Sequence, residues 1–230
     1  MEELIFVLVE AALETLPREI WSLPSIQRYA RKKRKDPDHV LLDRSFHHGG
    51  MLQLKDAERR GRPDLVHFSL LEANDTPLFL TTKLQIYVHT YNDFVITFDK
   101  NIRLPKSSHR FAGLIEQAFE ENAGQGLILG VNSSRLIQIR SQTFGELVMQ
   151  TSPSVVIGLT TQGKLISGSQ LSQEVISSQK PMIVVGGFPK GHFTSRISNY
   201  LTSERSIHPS SLEAHVVTAR TIYDIERALR

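Results

Sequence analysis

The chain has 230 residues, 40% of them hydrophobic and 22% charged, with no cysteine, one tryptophan and a formal charge of +3. That balance belongs to a folded globular protein, too polar for a membrane-embedded chain and too apolar for a disordered one. The lack of cysteine excludes thiol redox chemistry, a disulfide scaffold and any metal site with Cys ligands.

The segment Leu4 to Val9 reads as a strand buried on both faces, and it is too short for a signal peptide or a membrane span. A cytoplasmic protein is expected. AALETLP (11–17) reads as a short helix, and Pro17 and Pro24 frame a turn. Ser25 is placed to cap a helix reaching about Lys35. DPDH is a turn, HVLLD (39–43) a second strand, and residues 45–60 have helical character weakened by Gly49-Gly50. Arg62 precedes a proline and is held extended; LVHF (65–68) then reads as a strand and SLLEAN as a helical turn. KLQIYVHT (83–90) and FVITFD (94–99) form the clearest hairpin, turning at Tyr91-Asn92-Asp93. Ser107 or Ser108 caps a helix ending near Asn122 and Gly124. The second half alternates strand and helix: RLIQIR (135–140), TFGELVMQ with Thr143 and Glu146 at capping-box spacing, SVVIGLT (154–160), LSQEVISS, PMIVVGG (181–187) and a final helix over 211–229. Such alternation predicts an α/β fold with a mostly parallel sheet and helices on both faces. One domain over 1–230 is expected, with the hairpin and the following basic helix, about 76–125, as an insertion.

Charge is clustered rather than abundant. Residues 28–35 (RYARKKRK) hold six basic side chains in eight, residues 59–62 read RRGR, and Lys100, Arg103, Lys106 and Arg110 fall in a stretch without acids. All three clusters lie in the first half, the footprint expected of a polyanion-binding surface. Arg110 falls in the first turn of its helix with Lys106 just before it, against the helix dipole; a phosphate there resolves the conflict.

Other motifs point nowhere specific. GQGLILG (124–130) has dinucleotide-like glycines but lacks the strand before and helix after, so it reads as a helix end and turn. His47-His48 lack a metal-ligand partner at suitable spacing and read as a surface or packing pair, and His67 as a hydrogen-bonded core histidine. No hydrolase, P-loop or kinase signature is present. The loop GGFPKG (186–191) follows a buried strand, where open α/β sheets bind ligands. GLTTQGK (158–164), read as a second turn, and SIHPSSL (206–212) are its candidate neighbours, and three ordinary βα turns are the alternative.

Taken together, RGRPDLVHFSLL (60–71), KLQIYVHT (83–90), IRLPKSSHRFAGLIEQ (102–117), VVGGFPKGHF (184–193) and SIHPSSLEAHVV (206–217) resemble the ribosome-biogenesis methyltransferases called nucleolar essential protein one, of the SPOUT or trefoil-knot class. The resemblance runs along essentially the whole chain, in the compact archaeal form. It implies a SPOUT-like fold with a C-terminal trefoil knot, a homodimer, S-adenosylmethionine as cofactor, and methylation of N1 of a pseudouridine in small-subunit (16S) rRNA. It leaves room for other ribosome-assembly proteins as partners. By matching position, it assigns Arg62 to RNA contact and Asp64 to fixing that arginine; Arg62, held by Asp64, is then the candidate catalytic group for stabilising the negative charge that develops on the base. It assigns Arg103, Lys106 and Arg110 to rRNA binding. The cofactor loops it implies contain Leu159, Gly186, Gly191, Ile207, His208, Pro209, Ser210, Ser211 and Leu212. Lys106 stands where an arginine is frequent, keeping the charge without the bidentate fork; His192 receives no role. Asp64 as proton acceptor, a non-catalytic rRNA assembly factor and a SPOUT enzyme for another RNA base remain alternatives.

Overall fold

The computed structural model describes residues 1–121, 127–129 and 135–230. Its strands are β1 (Leu4–Ala11), β2 (Leu84–Thr90), β3 (Phe94–Phe98), β4 (Leu127–Leu129), β5 (Arg135–Ser141), β6 (Val155–Leu165), β7 (Pro181–Gly186) and β8 (Ser203–Ser206). Its helices are α1 (Pro24–Lys33), α2 (Arg44–Met51), α3 (Pro63–Ala73), α4 (Pro77–Leu80), α5 (Ser108–Glu121), α6 (Phe144–Thr151), α7 (Gly168–Ile176), α8 (Ser195–Ser198) and α9 (Ala214–Ala228). No described helix is long and apolar enough to cross a membrane.

The strands form one sheet in the order β4-β5-β3-β2-β1-β7-β6-β8. From β2 to β8 neighbours run parallel; β3, β5 and β4 extend the sheet antiparallel. All eight residues of β1 are buried because it lies between β2 and β7 with helices on both faces. Strand alternation divides its side chains. Leu4, Phe6 and Leu8 meet α3, α5, α7 and α9, whereas Ile5, Val7 and Val9 meet α6 and α8. A satellite cluster of Leu16, Ile20, Ile26, Ala30, Val40, Leu42, Met51 and Leu54 holds α1 and α2 together.

The hairpin, the capping box at Thr143 and Glu146, and β1, β5, β6 and β7 agree with the sequence reading. β2 is also a direct parallel neighbour of β1, which builds the hairpin into the sheet. Several expectations fail for local reasons. Residues 12–17 are not a helix: Ala12 N–H bonds to Gly187 C=O, and Thr15 forms a bridge with Leu41, so 39–43 is not a sheet strand either. α1 begins at Pro24, whose fixed φ suits the first helical position, with Leu23 as cap rather than Ser25. LVHF is part of α3, which starts at Pro63; buried residues surround it on most sides, which hides the helical period. The final helix starts at Ala214, leaving 207–213 irregular. In the 124–130 motif only Leu127–Leu129 is described, as edge strand β4, and the expected α5 terminus at 122–124 lies outside the described residues. β8, α4 and α8 have no counterpart in the sequence reading.

The second expected turn, 158–164, lies inside β6. Arg205 pairs with both Leu159 and Lys164, so residues 160–163 arch over the chain at 205. A Cβ on Gly163 would sit 2.5 Å from the Arg205 nitrogen and 2.6 Å from the Glu204 carbonyl carbon. The bulge of β6 thus approaches the backbone of β8 closely enough that only glycine fits at 163.

Gly163→Ala is therefore expected to destabilise the protein by about 1–3 kcal/mol in urea unfolding. Gly113→Ala, at a position on α5 with nothing within 4 Å, should stabilise it by about 0.5–1 kcal/mol. Equal effects of the two substitutions would contradict the close approach at Gly163.

Candidate functional site

Parallel strands place their C-terminal ends along one sheet edge, and the loops leaving β7, β6 and β8 meet there around a cavity of about 360 Å³. Leu159, Gly186, Gly191, Ile207, His208, Ser210, Ser211 and Leu212 all line it. Pro209 belongs to the same loop without being part of the lining. The sequence reading missed Thr160, Thr161, Phe188, Phe193 and Glu213, and His192, given no role, also lines the cavity. The phenylalanines flank the glycines of the 186–191 loop, a signal available in the sequence. The lining mixes apolar side chains such as Leu65, Val185 and Leu212 with hydroxyls and loop backbone, a composition suited to an amphiphilic small molecule.

The 186–193 loop is held from the N-terminal half of the chain. Arg59 donates to the carbonyls of His192 (2.8 Å) and Lys190 (3.4 Å), and its guanidinium lies 3.7 Å from the Phe188 ring centroid. The same side chain donates at 2.8 Å to the carboxylate of Glu10, which is buried at the end of β1 and also accepts from the Thr194 hydroxyl and backbone N–H. Gly191 carries φ +96°, and a Cβ there would reach 2.5 Å from an Arg59 terminal nitrogen. This position therefore requires glycine for both conformation and space. Arg60 is likewise internal, bidentate to buried Glu14 at 2.7 Å for both bonds. Two of the three arginines in RRGR are thus structural rather than part of a polyanion surface.

Arg62 differs. It caps α3, its N–H bonds to Ala12 C=O, and its guanidinium is bidentate to Asp64 at 2.8 and 2.9 Å. Both side chains stay over one-third exposed (36% and 40%). The Asp64 hydrogen bond raises the Arg62 pKa. For Asp64, burial pushes the pKa upward, but the Arg62 hydrogen bond and charge outweigh it and hold the carboxyl below its ordinary value. Glu213 of the cavity wall adds to the negative field at Arg62.

Three residues beyond Asp64, His67 is buried on α3. Its Nε2 lies 2.7 Å from the Pro105 carbonyl, and its ring stacks on Phe111 at 4.3 Å. Burial lowers its pKa against the opposing pull of that carbonyl, so the ring is neutral and donates from Nε2. This contact pins the 103–110 segment to α3. Arg103, Lys106 and Arg110 are exposed, and among the described residues no acid pairs with them. The His47-His48 pair divides: His47 is buried, accepts from Asp43 N–H, and is pushed by burial to a pKa of about 4, whereas His48 is exposed.

Comparison with known proteins places this geometry in context. A family profile described as EMG1/NEP1 methyltransferase matches residues 6–226. The Ribosomal RNA small subunit methyltransferase Nep1 of Pyrococcus furiosus is 36% identical over 196 residues, 85% of each chain. Its counterpart in Thermococcus kodakarensis is 35% identical over 224 residues, 97% of each chain. The crystal structure of Archaeoglobus fulgidus Nep1 bound to S-adenosylhomocysteine is similar with a TM-score of 0.86 at 32% identity, covering 100% of this chain and 99% of the other.

Breaking the clamp should expose its energetics. Arg59→Gln leaves the buried Glu10 carboxylate with Arg196, 3.8 Å away, as its remaining cation among the described residues, and is expected to cost about 2 kcal/mol in urea unfolding. Arg59→Gln/Glu10→Gln should recover part of that loss. A double variant no more stable than Arg59→Gln alone would show that the two side chains are not coupled.

Proposed function

The chain belongs to the EMG1/NEP1 methyltransferase family, and we propose that it methylates N1 of a pseudouridine in small-subunit rRNA, using S-adenosylmethionine. The observation that carries this reading is the placement of α3. Leu65 walls the cavity, Arg62 and Asp64 stand at the helix start, and His67 anchors the cationic segment. A small-molecule pocket and an anion-binding face therefore share one rigid element.

The cavity residues suit the cofactor: apolar walls at Leu159 and Leu212, hydroxyls at Ser210 and Ser211, and the approachable backbone of Gly186 and Gly191. When bound, S-adenosylmethionine supplies a methyl group on a positively charged sulfur. The transfer is a displacement whose rate depends chiefly on alignment. Pseudouridine exposes an N1–H because its sugar is joined through carbon. Transfer to N1 would form the N1–methyl bond as the methyl–sulfur bond breaks, with the N1 proton passing to water. Arg62 faces the negative charge that develops on the base, and Asp64 fixes the plane of its guanidinium. Both Asp64 oxygens accept from Arg62 and the carboxyl is held acidic, so Asp64 serves as an orienting group rather than the proton acceptor. Arg103, Lys106 and Arg110 hold phosphates flanking an extruded base. A homodimer in the cytoplasm completes the reading, on the strength of the family resemblance.

The test uses S-adenosylmethionine with a labelled methyl group and an rRNA hairpin carrying either pseudouridine or uridine. Incorporation with pseudouridine alone is expected. Incorporation into both hairpins points to another base or atom, and tight binding without incorporation points to an assembly factor. Arg62→Ala should lower methylation by about 100-fold or more while leaving S-adenosylhomocysteine affinity within about twofold. Unchanged turnover would remove Arg62 from the chemistry.

Asp64 also sets a pH expectation. Its folded-state pKa lies below the unfolded value, so its hold on Arg62 is complete above that value and is lost only as pH falls through the lower folded one. Between about pH 5 and 8 the rate should show no limb that disappears in Asp64→Asn. Such a limb would restore Asp64 as the base.

A further inference from the structure

The largest basic cluster of the sequence, residues 28–35, takes no part in the site described above. The structure splits it in two. Lys33 and Lys35 turn inward and pair with Glu116 of α5 at 2.8 and 3.5 Å; Glu116 is buried and also accepts from Leu41 N–H. Arg28, Arg31, Lys32 and Arg34 are exposed, and none pairs with an acid among the described residues. Helical periodicity accounts for the division. Ile26, Ala30 and Lys33 share the docked stripe, and Arg28, Arg31 and Lys32 lie on the opposite one.

Resting on the RNA reading proposed above, we infer that the solvent face of α1 is a second RNA-contacting surface, for substrate RNA outside the methylated loop. Three observations carry this. The pairing of Lys33 and Lys35 with Glu116 ties the end of α1 to α5, the helix whose first turn holds Arg110, so both sets of cations are carried by one connected part of the fold. From Arg110 to Glu116 the rise is only about 9 Å. Second, Arg34 occupies the left-handed position that ends α1 (φ 56°, ψ 41°), where glycine or asparagine is usual. The turn there ends the helix with a fourth exposed cation. Third, Phe46 on α2 is 62% exposed and lies 5.3 Å from the Tyr29 ring of α1. Cations beside an exposed aromatic ring form a platform for phosphates and an unpaired base. An acidic polypeptide would use the cations without the ring. The exposed Asp36 and Asp38 follow in the next turn and bound the patch.

The test compares Arg28→Gln/Arg31→Gln/Lys32→Gln/Arg34→Gln with the unaltered protein on two RNAs. One is a short hairpin holding only the target loop; the other is the same hairpin with its natural flanking sequence. Kd is measured at several salt concentrations, and unfolding curves verify that the variant folds. The flanked RNA should bind at least tenfold more weakly to the variant, with the slope of log K against log salt reduced by about three. The short hairpin should bind within about twofold. Unchanged affinity and slope for the flanked RNA would overturn the inference, and so would an equal loss on both RNAs, which would place α1 at the loop itself. The readout is affinity alone, so failure of the methylation reading leaves this result interpretable. Phe46→Ala provides a second measurement: it should weaken the flanked RNA without changing the salt slope, and no weakening would remove the ring from the surface.

Discussion

The arrangement of this protein depends on where α3 begins. Pro63 cannot continue a preceding helix, and it forces Arg62 out of helical geometry, so the arginine stands at the helix mouth with its own N–H tied to Ala12. From there the helix is buried on most of its circumference, among the residues that also cover one face of β1. A helix packed on so many sides has little room to slide or rotate. Arg62, Asp64, Leu65 and His67 therefore inherit fixed relative positions, and each faces a different part of the site.

Burial also decides which charges remain available. Glu10, Glu14 and Glu116 are nearly inaccessible, and an unpaired carboxylate at such positions would be costly. Each is compensated by cations drawn from the basic clusters: Arg59, Arg60, and Lys33 with Lys35. What remains outside is Arg62, the 103–110 cations and the outer face of α1. Burial thus segregates the basic clusters: the three buried glutamates take cations from them, while the cations of 103–110 and of the outer face of α1 stay unpaired among the described residues.

This segregation marks the boundary of what the sequence makes legible. Strands such as β1 and β7 are readable because continuous aliphatic runs of that length bounded by turns have few other uses. The cavity loops are readable because glycines and proline after a buried strand mark an open α/β ligand edge. The sequence does not show that Arg59 and Arg60 are internal while Arg62 is not, since all three occupy one four-residue run and their acids lie about fifty residues upstream. The helical nature of 65–68 is masked because Leu65, Val66 and His67 are all buried in succession, which blurs the period. The bridge between Thr15 and Leu41 involves one pair of residues and leaves no pattern. The continuity of 158–164 with β6 is concealed because a glycine required by the close approach of a neighbouring strand looks like a glycine required by a turn.

The remaining step concerns how the two halves of the chain act on one another. The cavity loop is rich in glycine and, left alone, would sample many conformations. Arg59 restricts it by binding two of its carbonyls and stacking on Phe188, while Glu10 fixes Arg59 from the end of the central strand. Ala12, two residues past Glu10, holds Gly187 through its N–H and Arg62 through its C=O. The chain leaving β1 therefore sets the position of both the loop that walls the cavity and the start of α3 at Arg62. Methyl transfer gains most from alignment that exists before the substrate arrives, because its entropy cost is then met during folding. A single strand end that anchors both segments gives them one relative placement.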